Sequence, residues 1–271
     1  MKKAKILYAI LAVCILAVGI FAFLLIREMN IDRQSQSFYS NLATGVETRP
    51  RVPVYNGAGA GSVGAGDTGN DGSTKTPIEG TDENGWVPYV DFEALSTDLP
   101  GIVGWLVLDG SPINYPVMQD SDNDFFLRHL PDGAPHRDGS VFLDYRNESD
   151  FSDESILIYG HMTKNQEMFG ILREYRNQEY YDANPVIFLY TPEKDYKIEL
   201  FAAHLAHSGR DHPPLHFEED ELLEYVDQLK RNSFFRSDVT VESGDRIVSF
   251  CTCAYDFNEA RLILTGKLLE Y

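Results

Sequence analysis

The sequence predicts a mainly β protein, a closed or nearly closed β-barrel with peripheral helices, preceded by one transmembrane helix. Three observations favour this fold class. Short runs rich in Val, Ile, Leu and aromatic residues recur from residue 105 to the end of the sequence, each closed by Gly, Asp, Asn or Pro. Helical periodicity is confined to short segments beside these runs. A long apolar run without charges stands near the N-terminus, ahead of a Gly-rich stretch.

The composition excludes several functional classes. The chain has 271 residues, with 23 Lys+Arg against 42 Asp+Glu and a formal net charge of −19. Binding to nucleic acid needs clustered Lys and Arg that release counterions, so we expect no nucleic-acid partner. The 3 cysteines are too few for a disulfide-stapled secreted miniprotein. These numbers are compatible with an enzyme and with a binding module.

Residues 1–30 are predicted to form a cytoplasmic tip and a transmembrane signal anchor. The run 6–26 contains no charge. At about 1.5 Å per residue it spans about 32 Å, close to the ~30 Å hydrocarbon core of a bilayer. Lysines precede the run, so the positive-inside rule keeps the N-terminus cytoplasmic and exports the rest of the chain. A cleaved signal peptide is the alternative, but its apolar region is shorter and ends at a small-x-small site.

Residues 31–85 are predicted to be a flexible linker. Pro50 and Pro53 discourage a continuous helix in its mixed, polar first part. Residues 56–85 are mostly Gly, Ala, Ser, Thr and Asp, which form no core, and such a coil has a reach of about 30 Å. The stretch follows no strand and opens no helix, so a phosphate-binding loop is not indicated. We expect one folded domain over residues 86–271.

Eight strands and three helices are predicted in this domain. The predicted helices cover 91–99, which ends before a proline, 167–175 and 220–232. The predicted strands are the runs 105–110, 113–119, 140–146, 155–160, 186–191, 196–205, 245–256 and 260–270. Strands at this spacing, with few helices between them, favour a barrel.

Side chains that could take part in catalysis lie at or near the ends of three of these strands. His161 follows the strand 155–160, Cys253 lies late in the strand 245–256, and Arg261 opens the last strand. A thiolate, an imidazole that exchanges its proton and a guanidinium that stabilises an oxyanion suffice for acyl transfer through a thioester. From the residues alone, a buried inert thiol and a solvated strand-edge arginine stay open as structural interpretations.

A second candidate cluster consists of four histidines close together in the chain: His204, His207, His212 and His216. Histidine is the commonest metal ligand, so a zinc site is one hypothesis. The spacing lacks the His-Glu-x-x-His pattern, and two consecutive prolines make the segment a loop rather than one helix face. Incidental surface histidines are the favoured interpretation, and a pH-sensitive groove element is a third.

At this point the chain resembles a known family, the class B sortases, which are membrane-anchored cysteine transpeptidases of Gram-positive bacteria. The resemblance runs from about residue 86 to residue 271. It consists of short stretches in the family's order and spacing, namely 104–106, 113–119, 122–127, 139–146, 159–162, 168–170 and the pair Thr252-Cys253 with Arg261 downstream.

The resemblance implies a sortase-like closed β-barrel and a catalytic role for three residues. Cys253 is implied to be the nucleophile that attacks the carbonyl after the Thr of a sorting pentapeptide. His161 is implied to protonate the leaving amine and then to deprotonate the incoming one. Arg261 is implied to position the peptide and to stabilise the oxyanion.

The resemblance also implies substrate contacts, and one stretch departs from the family pattern. Asn123, Leu127 and Thr252 are implied to contact the substrate, and the helix near 217–232 to form a groove wall. The family's Thr-Leu-x-Thr-Cys is here Ser-Phe-Cys-Thr-Cys. Strand alternation puts Cys251 on the face of the nucleophile, where we expect no disulfide and favour a packing role over substrate contact.

The expected function follows from this resemblance. The enzyme cleaves a C-terminal sorting motif of secreted proteins, holds them as a thioester and transfers them to a peptidoglycan precursor amine. No cofactor and no metal are needed for these steps. The expected location is the cell membrane, single-pass, with an extracellular catalytic domain. A pilin polymerase is the alternative within the family: it would use the same chemistry but transfer the acyl group to an amine of a pilin subunit. A metal-dependent surface hydrolase using the four histidines and a non-catalytic tethered binding barrel are alternatives from other classes.

Overall fold

The computed structural model describes residues 2–44, 47–50, 86–163, 166–218, 221–254 and 259–270, without the side chains of residues 2–10, 12, 47–50, 86–89 and 253. The helices and strands follow one another along the chain. They are α1 Lys2–Ala43, β1 Glu47–Pro50, β2 Trp86–Tyr89, α2 Phe92–Asp98, β3 Ile102–Val107, β4 Asn114–Met118, β5 Val141–Leu143, β6 Ser155–Tyr159, a 3-10 helix Gly170–Arg176, α3 Gln178–Ala183, β7 Val186–Tyr190, β8 Asp195–His207, α4 Glu221–Asn232, β9 Arg246–Cys253 and β10 Ala260–Glu270.

Eight of the strands form a closed barrel in the order β10-β8-β7-β3-β4-β5-β6-β9. The β4–β5 and β6–β9 pairs are parallel, and the other described pairs are antiparallel. This confirms the closed barrel, and each of the eight predicted strands overlaps a barrel strand. The pair β1–β2 forms a separate antiparallel ribbon.

Alternation along the strands separates an inner core from an outer one. Phe250 and Leu262 lie fully buried in the large cluster that fills the barrel. Ile247 faces the other way and packs with the apolar stripe of α4 in a second cluster. The α4 stripe repeats at helical spacing through Leu222, Val226 and Leu229, as the sequence predicts. Burying such a side chain stabilises the fold by about 1.5–3 kcal/mol.

The helices of the domain partly match the prediction. α2 is confirmed, and the side chain of Asp91 caps it by accepting from Ala94 N at 3.0 Å. The segment 167–175 is not an α-helix, since the structure has a 3-10 helix at Gly170–Arg176 instead. Met168, just before it, has φ +51°, a left-handed conformation that a right-handed α-helix excludes. The short helix α3 has no counterpart in the prediction.

Helix α1 confirms an N-terminal helix that is apolar enough to span a membrane. The large apolar side chains described between residues 11 and 29 are exposed, so no described part of the barrel covers them. The helix also continues past residue 30, where the sequence predicts a linker, and it ends at Ala43. The remainder of that linker prediction, residues 51–85, lies outside the described residues.

The last turns of α1 pack on the barrel through one helix face. Tyr39 is buried in the main core, and its hydroxyl donates to Gly139 O at 2.8 Å. Arg137, from the same loop, forms ion pairs with Glu28 and Asp32. Glu28 and Asp32 are four residues apart, and Asp32 and Tyr39 are seven apart, so the three side chains lie on one face of the helix. The packing explains why the helix persists beyond its apolar run.

A buried carboxylate joins the loops at one end of the barrel. The Asp144 side chain is 0% exposed and accepts from Arg146 Nε and Nη2, each at 2.8 Å. It also accepts from Asn123 Nδ2 at 3.1 Å and from Tyr159 Oη at 3.0 Å. Burial opposes ionisation of this carboxyl, but the hydrogen bonds from Arg146, Tyr159 and Asn123 outweigh burial and lower its pKa to about 2.

The depressed pKa of Asp144 predicts a pH-dependent contribution to stability. The folded pKa of about 2 lies below the ordinary value of 3.8, so the stabilisation is present above pH 4 and is lost as the pH falls. We expect the difference in unfolding free energy between wild type and Asp144→Asn to shrink by about 2 kcal/mol between pH 5 and pH 2. Urea unfolding of the detergent-solubilised chain at several pH values measures this difference. A difference that stays constant over that range would contradict an ionised, hydrogen-bonded carboxylate.

Candidate active site

The strands β6, β9 and β10 are neighbours, and their ends define the candidate site. β6 pairs in parallel with β9, where Tyr159 is the partner of Cys251, and Gly160 N donates to Cys251 O at 3.2 Å. β10 runs antiparallel to β9, where Arg261 is the backbone partner of Cys253. The C-terminal ends of two parallel strands and the N-terminal end of an antiparallel neighbour meet at one edge. The three predicted catalytic positions therefore lie at the same end of the barrel.

His161 follows β6 after a glycine that the packing requires. A Cβ atom on Gly160 would lie 2.7 Å from the ring of Phe169, closer than side chains tolerate. Phe169 N in turn donates to His161 O at 3.0 Å, which fixes the backbone beyond the strand. The sequence Tyr-Gly-His thus brings a half-buried imidazole to the barrel end with little freedom in its backbone.

The ring of His161 is held by a backbone carbonyl. Its Nε2 lies 2.7 Å from Leu127 O. Because a carbonyl only accepts, this nitrogen carries the proton and Nδ1 is left as the acceptor in the neutral ring. A Cβ atom on Gly139 would come within 2.6 Å of the same carbonyl, and φ at Gly139 is +53°. Glycine is therefore required beside the atom that orients the imidazole.

The nucleophile predicted from the sequence, Cys253, is the last residue of β9. Its side chain lies outside the described part of the structure, and its position is known from the backbone register alone. Arg261 is half-buried, and its Nη1 donates to Ala260 O at 3.1 Å. Thr252 is buried, and its hydroxyl has no hydrogen-bond partner among the described residues.

The neighbouring thiol, Cys251, is buried in an apolar cluster with Ala206 and Ile263. Burial raises its pKa to about 12, and the charge of Asp144 acts in the same direction, while Arg261 acts against them. A thiol with this pKa stays protonated near neutral pH and is a poor nucleophile. These contacts support the packing role predicted for Cys251.

Two of the three residues expected to contact substrate, Asn123 and Leu127, have partners within the protein. Asn123 uses both ends of its amide, since its Nδ2 donates to Asp144 and its Oδ1 accepts from Tyr145 N at 3.0 Å. Leu127 is half-buried and packs beside Phe126, while its carbonyl holds His161. Asn123 thus braces the loop that supplies the Leu127 carbonyl, whatever further contact it makes with a peptide.

Three of the four histidines considered as a metal site contact different partners, and the buried Nδ1 of His204 has no hydrogen-bond partner among the described residues. His212 Nε2 lies 3.0 Å from Tyr159 Oη, His216 is 3.7 Å from Glu154, and His207 is 3.8 Å from Glu259. Burial lowers the pKa of His204, on β8. Within the described ranges, no group of three or more His, Cys, Asp or Glu side chains is arranged to hold a metal ion.

An open cavity of about 460 Å³ lies against α4. Its lining combines apolar and mainly acidic side chains: Pro214, Phe217, Glu221, Glu224, Tyr225, Asp227, Gln228 and Arg231. None of the predicted site residues lines it. The cavity therefore belongs to the outer surface of the helix predicted to wall the groove, not to the end of the barrel that holds His161.

Sequence reasoning missed two residues at this end of the barrel, Asp144 and Tyr159. Both fall in the stretches that carry the sortase resemblance, so a signal was present. Burial raises the pKa of Tyr159, and the negative charges near it act in the same direction, so its hydroxyl stays protonated and donates to Asp144. The sequence does not show that one carboxylate receives donors from three separate segments.

Curated relatives of this chain are sortases. It is 33% identical to sortase B of Listeria monocytogenes over 182 residues, covering 66% of this chain and 73% of that protein. It is 31% identical to sortase B of Staphylococcus aureus over 182 residues, covering 66% and 75% of the two chains. No protein-family model matches the chain.

Solved structures agree with these relatives. A complex of S. aureus sortase B with substrate superposes with a TM-score of 0.62 at 31% identity, covering 66% of this chain and 84% of that chain. A Bacillus anthracis protein described as similar to sortase B superposes with a TM-score of 0.67 at 25% identity, covering 89% and 96%. With this identity, this coverage and the same closed barrel, the chain belongs to the sortase B family of cysteine transpeptidases.

Proposed function

We propose that Cys253, His161 and Arg261 carry out the transpeptidation of this sortase, on a C-terminal sorting motif of secreted proteins. The observation that supports this assignment best is the strand order β6-β9-β10, whose register brings the three positions to one end of the barrel. The hydrogen bond from His161 to Leu127 O adds a defined orientation for the imidazole.

The first half of the reaction forms a thioester. The Cys253 thiolate attacks the carbonyl carbon after the Thr of the motif, and the electron pair of the C=O bond moves onto oxygen. The guanidinium of Arg261 stabilises this oxyanion, a type of interaction worth about 10²–10³ in rate. When the oxyanion collapses, the C–N bond breaks, and His161 gives its proton to the leaving amine.

The second half transfers the acyl group to a new amine. The incoming amine nitrogen attacks the thioester carbonyl and gives up a proton to His161. Collapse of the second oxyanion breaks the C–S bond and returns Cys253 as thiolate. An amide replaces an amide, so the overall reaction needs no oxidant, no reductant and no nucleotide.

The peptide groove, in this proposal, lies beside the 123–127 loop, with Asn123, Leu127 and Thr252 as substrate contacts. Thr252 is buried, with a hydroxyl that has no partner among the described residues, and the support for its contact with the peptide is the family resemblance. α4 and the loop before it form the wall. The acceptor we propose is an amine of a peptidoglycan precursor. In this proposal α1 spans the membrane and the barrel lies outside the cell.

Replacing each cysteine of β9 tests the nucleophile. We expect Cys253→Ala to abolish cleavage and thioester formation, at least 10³-fold below wild type, because no other described thiol at this end of the barrel is accessible. Cys251→Ala is the matched control and should keep cleavage within about threefold. The assay uses a quenched-fluorescent pentapeptide library with one position fixed as Thr, with mass spectrometry for the thiol-linked adduct. Cleavage that survives in Cys253→Ala would refute the assignment.

The acceptor is tested by competition between amines. With the best peptide of the library as donor, we expect transfer to a peptidoglycan stem peptide with a free amine to exceed transfer to a pilin-type domain with an accessible lysine by about tenfold or more. Mass spectrometry of the amide products measures the ratio. Preferential transfer to the pilin lysine would instead identify a polymerase.

The topology is tested with epitope tags at both ends of the full chain. We expect external protease to remove a C-terminal tag from protoplasts and to leave an N-terminal tag intact, because the lysines before the apolar run keep that end inside. Lysed protoplasts, in which both tags are cut, serve as the control. A protected C-terminal tag on intact protoplasts would show the opposite orientation.

A further inference from the structure

We propose that Asp144 is a positioning residue of this sortase, whose buried carboxylate holds His161 in its working orientation from two sides. The inference rests on the proposed role of His161 as the proton carrier. Asp144 makes no described hydrogen bond to His161 itself, and the inference follows from the segments that its carboxylate joins.

The first side is the strand that carries the histidine. Tyr159, the last residue of β6, donates its hydroxyl to Asp144 Oδ2 at 3.0 Å. His161 lies only two residues further on, and Gly160 between them is pressed against Phe169. A displacement of the Tyr159 side chain would therefore also displace the backbone of His161, because the packed glycine between them allows little compensating movement.

The second side is the loop that holds the imidazole ring. Asn123 donates from Nδ2 to the same Oδ2 atom at 3.1 Å. Four residues later, Leu127 presents the carbonyl that lies 2.7 Å from His161 Nε2. The carboxylate thus braces both the backbone that carries the imidazole and the acceptor that selects its tautomer.

The hydrogen bonds at this position require a carboxylate, and an amide of the same shape cannot accept all of them. Oδ1 accepts from Arg146 N and Nε, and Oδ2 accepts from Arg146 Nη2, Asn123 and Tyr159. An asparagine has one accepting oxygen and one donating nitrogen, so either orientation of its amide places donors against donors. Misplacing a catalytic group by about 1 Å can cost about 10²-fold in rate.

A nearby aspartate supplies a matched control. Asp153 Oδ2 accepts from Asn147 Nδ2 at 2.9 Å and from Glu148 N at 2.7 Å, in the same turn between β5 and β6. It contacts neither Asn123 nor Tyr159 in the described hydrogen bonds. Asp153→Asn makes the same chemical change in the same turn, so it reports what loss of a structural carboxylate does by itself.

The experiment compares Asp144→Asn with Asp153→Asn in the full chain, in detergent and well below both melting temperatures. We expect Asp144→Asn to lower kcat on the best library peptide at least tenfold with KM within about threefold. The Nε2–H tautomer of His161, read from ¹³C and ¹⁵N shifts at pH 9, should become mixed. Asp153→Asn should leave kcat and the tautomer unchanged. The resonance of His161 is assigned by its loss in His161→Ala.

Several outcomes overturn the inference. They are a kcat for Asp144→Asn that matches Asp153→Asn, an effect confined to KM, and an unchanged His161 tautomer. If Asp144→Asn does not fold, Tyr159→Phe decides, because it removes one donor to the carboxylate and keeps the ring: an unchanged kcat and tautomer refute the proposal, and a lower kcat with a mixed tautomer supports it. Activity retained in His161→Ala refutes the proposed function itself, whereas an inactive His161→Ala with a normal Asp144→Asn refutes the positioning role alone.

Discussion

The parallel pairing of β6 with β9 is the constraint on which the site depends. Parallel strands run in the same direction, so the residues that follow β6 and the last residues of β9 emerge at one end of the barrel. β10 then begins at that end, because it returns antiparallel to β9. The backbone positions of His161, Cys253 and Arg261, separated by up to a hundred residues of chain, are thereby brought to the same end of the barrel. The barrel is closed, so neither β6 nor β9 is a free edge that could slip in register.

Burial and hydrogen bonding determine which groups are ionised at this end of the barrel. Asp144 is a fully buried carboxylate, and without donors it would be protonated rather than charged. Five hydrogen bonds from Arg146, Asn123 and Tyr159 keep it ionised. The same charge, together with burial, keeps the Cys251 thiol protonated. Strand β9 therefore carries both an inert thiol, Cys251, and, two residues later, the position of the proposed nucleophile, Cys253.

Helix α1 has an exposed apolar part and a part that packs on the barrel, although the sequence predicts two separate segments there. Its first part is apolar and uncovered by the barrel, whereas its last turns contribute Tyr39 to the main core and two carboxylates to Arg137. Because a helix rises about 1.5 Å per residue, the turns between the apolar run and Ala43 place the barrel within about 25 Å of the end of that run. The barrel is thus attached to this apolar helix by packing as well as by the chain.

The sequence by itself determined the fold class and the strands. Each barrel strand combines branched or aromatic residues with a turn signal at its end, and that information is local. It also determined α2, which ends before a proline, and α4, through its apolar stripe. The catalytic residues were predicted from motifs in the order typical of the family, and their roles stay predictions that the experiments above address.

Tertiary structure decided what depends on distant partners. The segment 167–175 is predicted to be an α-helix, but left-handed Met168 and the close packing of Gly170 on Thr163 leave only a 3-10 helix, which begins at Gly170. Polar composition beyond residue 30 suggests a linker, yet packing on the barrel extends the helix. The bracing of His161 by Asp144 was likewise beyond the sequence, because its donors come from three segments that meet only when the barrel closes. Local patterns are encoded within a few residues, whereas burial and hydrogen-bond partners are set by contacts between residues far apart in the chain.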